Sequence, residues 1–321
     1  MMLLAASLAG SGIQSALEPA GAHAARISRL WNVFLVMSVV VWVLVMIALF
    51  IALARRRRAE SPDGASRAYI TVSIATAITF VTLVGLLFAS VLTGRAIVDE
   101  APPGVQQLKV TGRQWWWQVE YDDPDKSKRF TDANEIHIPV GVPVNIQLHS
   151  SDVIHSLWVP NLNGKQDLIP GHDGSIQLRA DRPGIYRGQC AEFCGLQHAK
   201  MSLWVNALMP DDYAKWLAAS RQPSKIPSTP EQRKGQEVFM SSPCPLCHTI
   251  QGTDAGGKTG PDLTHFASRR SIAAGTWPNR RGYLAGWIVD PQHIKPGSQM
   301  PPMLLDEGEL QPLLAYLESL Q

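Results

Sequence analysis

The sequence predicts a multidomain protein in three parts: a two-helix transmembrane hairpin, an all-β domain, and an all-α domain at the C-terminal end. Three observations predict it. Two long apolar runs stand close together before residue 98. Short alternating apolar runs, separated by Gly, Pro and Asp, fill residues 105–210. Beyond a proline-rich stretch, helical patterning surrounds Cys244-Pro-Leu-Cys247-His248. The expected boundaries are 1–29 for an export or leader segment, 30–98 for the hairpin, 99–210 for the β domain, 211–230 for a linker and 231–321 for the helical domain.

Residues 33–54 are apolar except for Ser38, long enough to cross a bilayer as a helix. Residues 68–94 hold no charge and form a second span, softened by Thr71, Ser73, Thr76, Thr79, Thr82 and Ser90. Between them lie Arg55 to Arg58 and Arg67. Short basic loops stay on the cytoplasmic side, so both the N-terminus and everything after the second span face outward. Residues 1–10 are short and apolar and read as a weak export signal. Leu8-Ala9-Gly10-Ser11 looks like a lipoprotein signal with serine in place of the lipidated cysteine, so no lipid is expected there.

The runs Leu108-Lys-Val-Thr111, Glu135-Ile-His-Ile138 and Val144-Asn-Ile-Gln-Leu148 read as short strands of a sandwich or barrel. Within this region Cys190-Ala-Glu192-Phe-Cys194 runs on to His198 and Met201, and His155 lies upstream. Two thiols, imidazoles and a thioether form a soft and borderline donor set, which suits copper better than magnesium or calcium. The alternative is a local disulfide between Cys190 and Cys194.

Residues 211–217 look like a short helix, and Gln222-Pro-Ser-Lys-Ile-Pro-Ser-Thr-Pro230 reads as a stiff extended tether. The C-x-x-C-H sequence then reads as covalent attachment of c-type haem: Cys244 and Cys247 bind the haem and His248 becomes an axial iron ligand. Pure electron transfer needs a sixth ligand, and a methionine raises the potential. Met300 in Lys295-Pro-Gly-Ser-Gln-Met300-Pro is the expected ligand, with Met303 three residues on as the alternative. A zinc site is disfavoured, because the chain has 4 Cys and the two motifs use them all.

These motifs closely resemble cytochrome c oxidase subunit II with a fused C-terminal cytochrome c domain, the caa-type arrangement. The resemblance implies a cupredoxin-like barrel followed by a class I cytochrome c domain. It implies a binuclear copper (CuA) site in which Cys190 and Cys194 bridge two copper ions. His155 and His198 each bind one, Met201 is a weak ligand, and Glu192 gives its backbone carbonyl. It also implies magnesium or manganese on the Glu192 carboxylate, shared with subunit I, and a surface entry role for Trp115 in Trp115-Trp-Trp117. Asp152 and Asp167 read as polar residues at turns and subunit contacts. Gly260-Pro261 falls where that family steadies the haem histidine.

The function implied is electron entry to a terminal respiratory oxidase in the bacterial inner membrane. The implied partners are an external cytochrome c, subunit I with haem a and a haem a–CuB centre, subunit III, and membrane lipid. Oxygen becomes water on subunit I and protons are moved. Relatives often carry an acid and a Trp before the second span; Arg67-Ala-Tyr-Ile-Thr71 has neither, so no proton-entry role is assigned. The alternative is the electron-entry subunit of a CuA-containing nitric oxide reductase. A copper carrier would leave the haem without purpose, and quinol oxidase subunits lack these copper ligands. The net charge of +2 and the absence of a basic stripe argue against nucleic acid. Residues 231–321 carry eight Lys/Arg and nine Asp/Glu, and residues 105–210 carry ten and eleven, so neither domain steers a donor strongly by charge.

Overall fold

The computed structural model describes residues 13–55, 64–97 and 106–321. They form two units. One is the pair of long helices, and the other joins residues 13–22 to everything from residue 106 onward.

Helices α1 (Ala22–Arg55) and α2 (Gly64–Ile97) are 34 residues each. At 1.5 Å per residue each reaches about 50 Å, more than a bilayer's hydrocarbon core requires. Trp42, Phe50, Phe80 and Phe88 are each more than 60% exposed, so these helices are apolar outward, as lipid-facing helices are. Arg26, near the start of α1, donates to the carbonyl of Ala96 at the end of α2. The helices therefore run as a hairpin. Arg55 closes α1, whereas Arg56 to Arg58 and residues 1–12 of the expected leader lie outside the described residues.

The β domain holds ten strands in two five-stranded sheets around one core. They are β1 (Gln107–Arg113), β2 (Trp116–Tyr121), β3 (Phe130–Ala133), β4 (Glu135–Pro139), β5 (Val144–Ser150), β6 (His155–Trp158), β7 (Gln166–Leu168), β8 (Gly174–Leu178), β9 (Gly184–Cys190) and β10 (Ser202–Leu208). One sheet runs β3-β2-β1-β5-β8 and the other β4-β10-β9-β6-β7. Period-two patterning explains the faces: Trp117, Val119 and Tyr121 of β2, and Val144, Ile146 and Leu148 of β5, all point into the core.

Two boundaries differ from expectation. Helix α1 begins at Ala22, not at residue 30. The segment before it is tied to the β domain: Arg187 N donates to Ile13 O, Ala20 N to Asn161 O and Asp181 N to Ala20 O. It bonds to the stretch of β9 that the shorter β6 leaves unpaired. The expected linker also starts too early. Helix α3 (Pro210–Ser220) buries Tyr213 and stacks Trp216 on His137 at 4.0 Å between ring centroids, so it belongs to the β domain.

The helical domain is built on α4 (Pro230–Ser241) and α8 (Glu307–Leu317). Each opens with a capping box, Thr229 with Gln232 and Asp306 with Glu309. They cross so closely that a Cβ on Gly235 would lie 1.9 Å from Pro312 O. Between them in the chain come α5 (Cys244–Cys247), the short pair β11 (Ser271–Ile272) and β12 (Trp277–Pro278), α6 (Arg281–Val289) and α7 (Pro291–Ile294).

The two domains meet along a polar seam. Ser202 donates from both N and Oγ to Ala274 O, at 3.0 and 2.9 Å. Trp204 Nε1 donates to Ser271 Oγ, Arg270 N to Glu135 Oε1, and Arg269 pairs with Asp132.

Candidate metal and haem centres

The loop between β9 and β10 carries Cys194, His198 and Met201, while Cys190 ends β9 and His155 opens β6. Leu157 of β6 pairs with Cys190, which draws the distant histidine to the loop. The sulfurs of Cys190 and Cys194 lie 3.7 Å apart. A disulfide needs about 2.05 Å, so this is not one. His155 Nδ1 stands 3.8 Å from Cys190 Sγ, His198 Nδ1 3.6 Å from Cys194 Sγ, and Met201 Sδ 3.8 Å from Cys194 Sγ. The Glu192 carbonyl lies 3.2 Å from Cys190 Sγ. Donors bonded at about 2.0–2.3 Å to a shared tetrahedral metal sit roughly 3.5 Å from one another, so the spacing is that of a coordination shell. The soft sulfurs in it fit copper.

Charge favours a thiolate at Cys190, whereas His155 must give up a stabilised proton before it can bind a metal. The hydrogen bond with Cys194 pulls the Cys190 thiol well below its ordinary value, against the effect of burial, and raises Cys194 in turn, so one thiolate of the pair is favoured. His155 is fully buried, which opposes its charge, yet its bonds to Asp152 and Cys190 carry its pKa above the ordinary value. Asp152 accepts from His155 Nε2 at 2.7 Å and from Gln114 N. That bond turns Nδ1 toward the thiols. Asp152 is thus a partner of a ligand and not only the turn residue expected; its D-x-x-H spacing before His155 is the signal in the sequence. The Glu192 side chain is part-exposed and pairs with Lys165 at 3.4 Å.

The second centre is a cavity of about 480 Å³ lined mainly by apolar groups. Cys244, Cys247 and His248 stand on its wall, with Phe239, Leu313 and Leu317 from the crossing helices. His248 Nδ1 donates to Pro261 O at 2.7 Å, which leaves Nε2 for a metal. Burial holds His248 below its ordinary pKa and so neutral, as a ligand must be. Gly260 lies flat on the ring; a Cβ there would sit 2.8 Å from His248 Cε1. Met300 and Met303 both line the cavity. Paired thiols, a ligand histidine and an apolar slot fit a covalently held haem.

Trp115 departs from the surface position expected of it. It is 8% exposed, because the haem domain lies over it: a Cβ on Gly297 would stand 3.3 Å from Trp115 Cη2. Trp115 lines the haem cavity, and its indole Nε1 donates to Cys194 O at 2.9 Å. Trp116 reaches the same cavity, and Trp117 is wholly in the β core.

Comparison with known proteins agrees with this division. Residues 124–208 match the family described as cytochrome c oxidase subunit II, periplasmic domain, and residues 232–321 match cytochrome c. The cytochrome c oxidase subunit 2 of Alkalihalophilus pseudofirmus is 34% identical over 317 residues, covering 96% of this chain and 91% of that protein. Its counterpart from Bacillus sp. (strain PS3) is 29% identical, over 83% of this chain and 80% of that protein. The Bacillus subtilis protein is 27% identical, over 77% and 73%. These relatives do not favour the nitric oxide reductase alternative. With both domains matched and 96% of the chain spanned, this chain belongs to the cytochrome c oxidase subunit 2 family, in the form that carries a cytochrome c domain at its C-terminal end.

Proposed function

We propose that Trp115 bridges the two cofactor centres of this electron-entry subunit. The observation that carries the reading is one residue on two walls: Trp115 lines the haem cavity, and its indole donates at 2.9 Å to the carbonyl of Cys194. Haem c on Cys244, Cys247 and His248, and copper on the thiolate loop, supply one-electron redox chemistry. Met300 is the sixth haem ligand. Cys190 and Cys194 bridge two copper ions, with His155, His198, Met201 and the Glu192 carbonyl completing the set.

An external cytochrome c delivers to the haem domain, and the copper domain delivers to subunit I, where oxygen is reduced to water and protons are translocated. The Glu192 carboxylate is part-exposed and suits a hard ion, magnesium or manganese, completed by subunit I. Subunit III and lipid surround the hairpin in the bacterial inner membrane. The arginine run between the spans supports a cytoplasmic loop, with the N-terminus and both domains on the outer face.

Trp115→Leu in the assembled oxidase tests the route. After rapid reduction by an external donor, haem c should stay reduced at least tenfold longer, with its own reduction rate unchanged. An internal transfer rate within twofold of wild type would refute it.

A further inference from the structure

The loop that supplies Met300 also sends a side chain the other way. Lys295 is 3% exposed and lies in the seam between the two domains. Its Nζ donates to three carbonyls: Trp115 O at 2.6 Å, Lys200 O at 2.7 Å and Ala273 O at 3.1 Å. These belong to three different segments. Trp115 follows β1, Lys200 lies in the loop between His198 and Met201, and Ala273 turns between β11 and β12.

An ammonium has three N–H donors and no acceptor. Three carbonyls therefore satisfy it completely, whereas a neutral amine would aim its lone pair at one of them. Burial, and the nearby Lys200, lower the Lys295 pKa to about 7, and the carbonyl cage favours the charged form. A buried cation of this kind is costly unless fully partnered, so removing any one acceptor is felt by the others. Lys200 returns the contact, donating to Ile294 O at 2.5 Å, and Gln197 donates to Pro296 O at 2.8 Å. The residues flanking the copper loop and those flanking the Met300 loop are thus cross-tied, and Trp115 is held between them.

We propose that Lys295 is a positioning residue for internal electron transfer, its ammonium fixing the Trp115 backbone and the copper-ligand loop against the haem domain. The proposal rests on the Trp115 route above. It predicts a loss of transfer without a loss of either fold.

The experiment compares Lys295→Met with wild type in the assembled oxidase, with Trp115→Leu as a parallel control. In K295M, haem c should accept electrons from an external donor at the wild-type rate, while transfer from haem to copper falls at least tenfold. Hydrogen exchange gives a readout independent of turnover. The Ser202 amide, bonded across the seam to Ala274 O, should lose at least tenfold protection, while the amides of Val110 and Phe239 keep theirs. Should K295M not assemble, K295Q retains two donors without the charge, and an intermediate slowing is expected. Internal transfer within twofold of wild type in whichever variant assembles would overturn the proposal. So would protection lost equally from both domain cores, which would make Lys295 a simple contributor to stability. If W115L transfers normally, the route itself is wrong and the proposal falls with it. If W115L is slow and K295M is normal, only the role of Lys295 is wrong.

Discussion

Gly112→Ala places one methyl group against the ring of His155, a proposed copper ligand. The new Cβ would lie 2.7 Å from His155 Cδ2, 2.9 Å from Cγ and 3.2 Å from Cβ. Carbon atoms rest at about 3.5–4.0 Å, so the imidazole would have to retreat by roughly 0.5–1 Å. It has little room. The ring is fully buried, Asp152 holds Nε2 at 2.7 Å, and the Trp117 ring stands 6.0 Å away between centroids. Overpacking of this sort costs about 1–3 kcal/mol. Alanine also restricts the unfolded chain, which offsets roughly 0.4–1 kcal/mol of that in folding stability. The offset does not apply to copper binding by the folded protein. If the ring is displaced from the donor set, copper affinity should fall roughly 5- to 150-fold, since about 1.4 kcal/mol is a factor of ten. Copper competition against a chelator, on protein with its haem domain intact, measures this directly, and the copper–thiolate absorption should change alongside. Affinity within twofold of wild type, with an unchanged spectrum, would refute the steric argument and the placing of His155 in the donor set.

Asp152→Asn should weaken copper retention about 10- to 100-fold while leaving haem content unchanged, because the His155 ring loses its carboxylate partner; equal retention in the same chelator assay would exclude an orienting role. Burial and the nearby Asp132 raise Glu135 from 4.5 to about 7, against the Arg270 amide, Arg269 and Asn206. Folding therefore takes up a proton at Glu135 between those two values, a contribution to stability that falls by about 3 kcal/mol as pH rises from 4.5 to 7. His137, which burial lowers from 6.5 to about 4, contributes in the opposite sense as pH rises from 4 to 6.5. Glu135→Gln should therefore make stability rise more steeply with pH than in wild type, read by denaturant unfolding from pH 4.5 to 8, and an unchanged pH dependence would show that Glu135 takes up no such proton. Gly235→Ala sets a methyl group 1.9 Å from Pro312 O, so α4 and α8 must separate. A loss of at least about 3 kcal/mol is expected from the overpacked backbone contact, read as haem-domain unfolding, and a Tm within 2 °C of wild type would contradict the close crossing.

The broad architecture was legible because its signals are local. Two apolar runs, alternating strands such as Val144 to Leu148, and the C-x-x-C-H sequence each lie within one segment of chain. The proposed copper donors stand out in the sequence for a related reason, since five of the six lie within twelve residues. What remained hidden depends on distant contacts. Nothing in the residues near Trp115 says that Gly297 will cover it. Lys295 reads as one more surface lysine until three carbonyls from three segments meet around it. Residues 13–21 carry no local sign of their tie to the β domain, since their backbone bonds go to Arg187, Asn161 and Asp181 far along the chain. The tie of helix α3 to the β domain is an aromatic stack with His137, which likewise has no local signature.

The burial of Trp115 beneath Gly297 changes what salt can do to this protein. A soluble donor must find its site through solution, where ionic strength sets the rate of encounter. The second hand-over involves no encounter: the haem domain already sits on the indole that borders the copper loop. On the proposed route its rate is set by packing between the joined domains, first order in the complex and independent of encounter. Salt dependence of respiration through this chain therefore reports only on arrival at the haem domain, and a mutation that alters it can be assigned to that outer step alone.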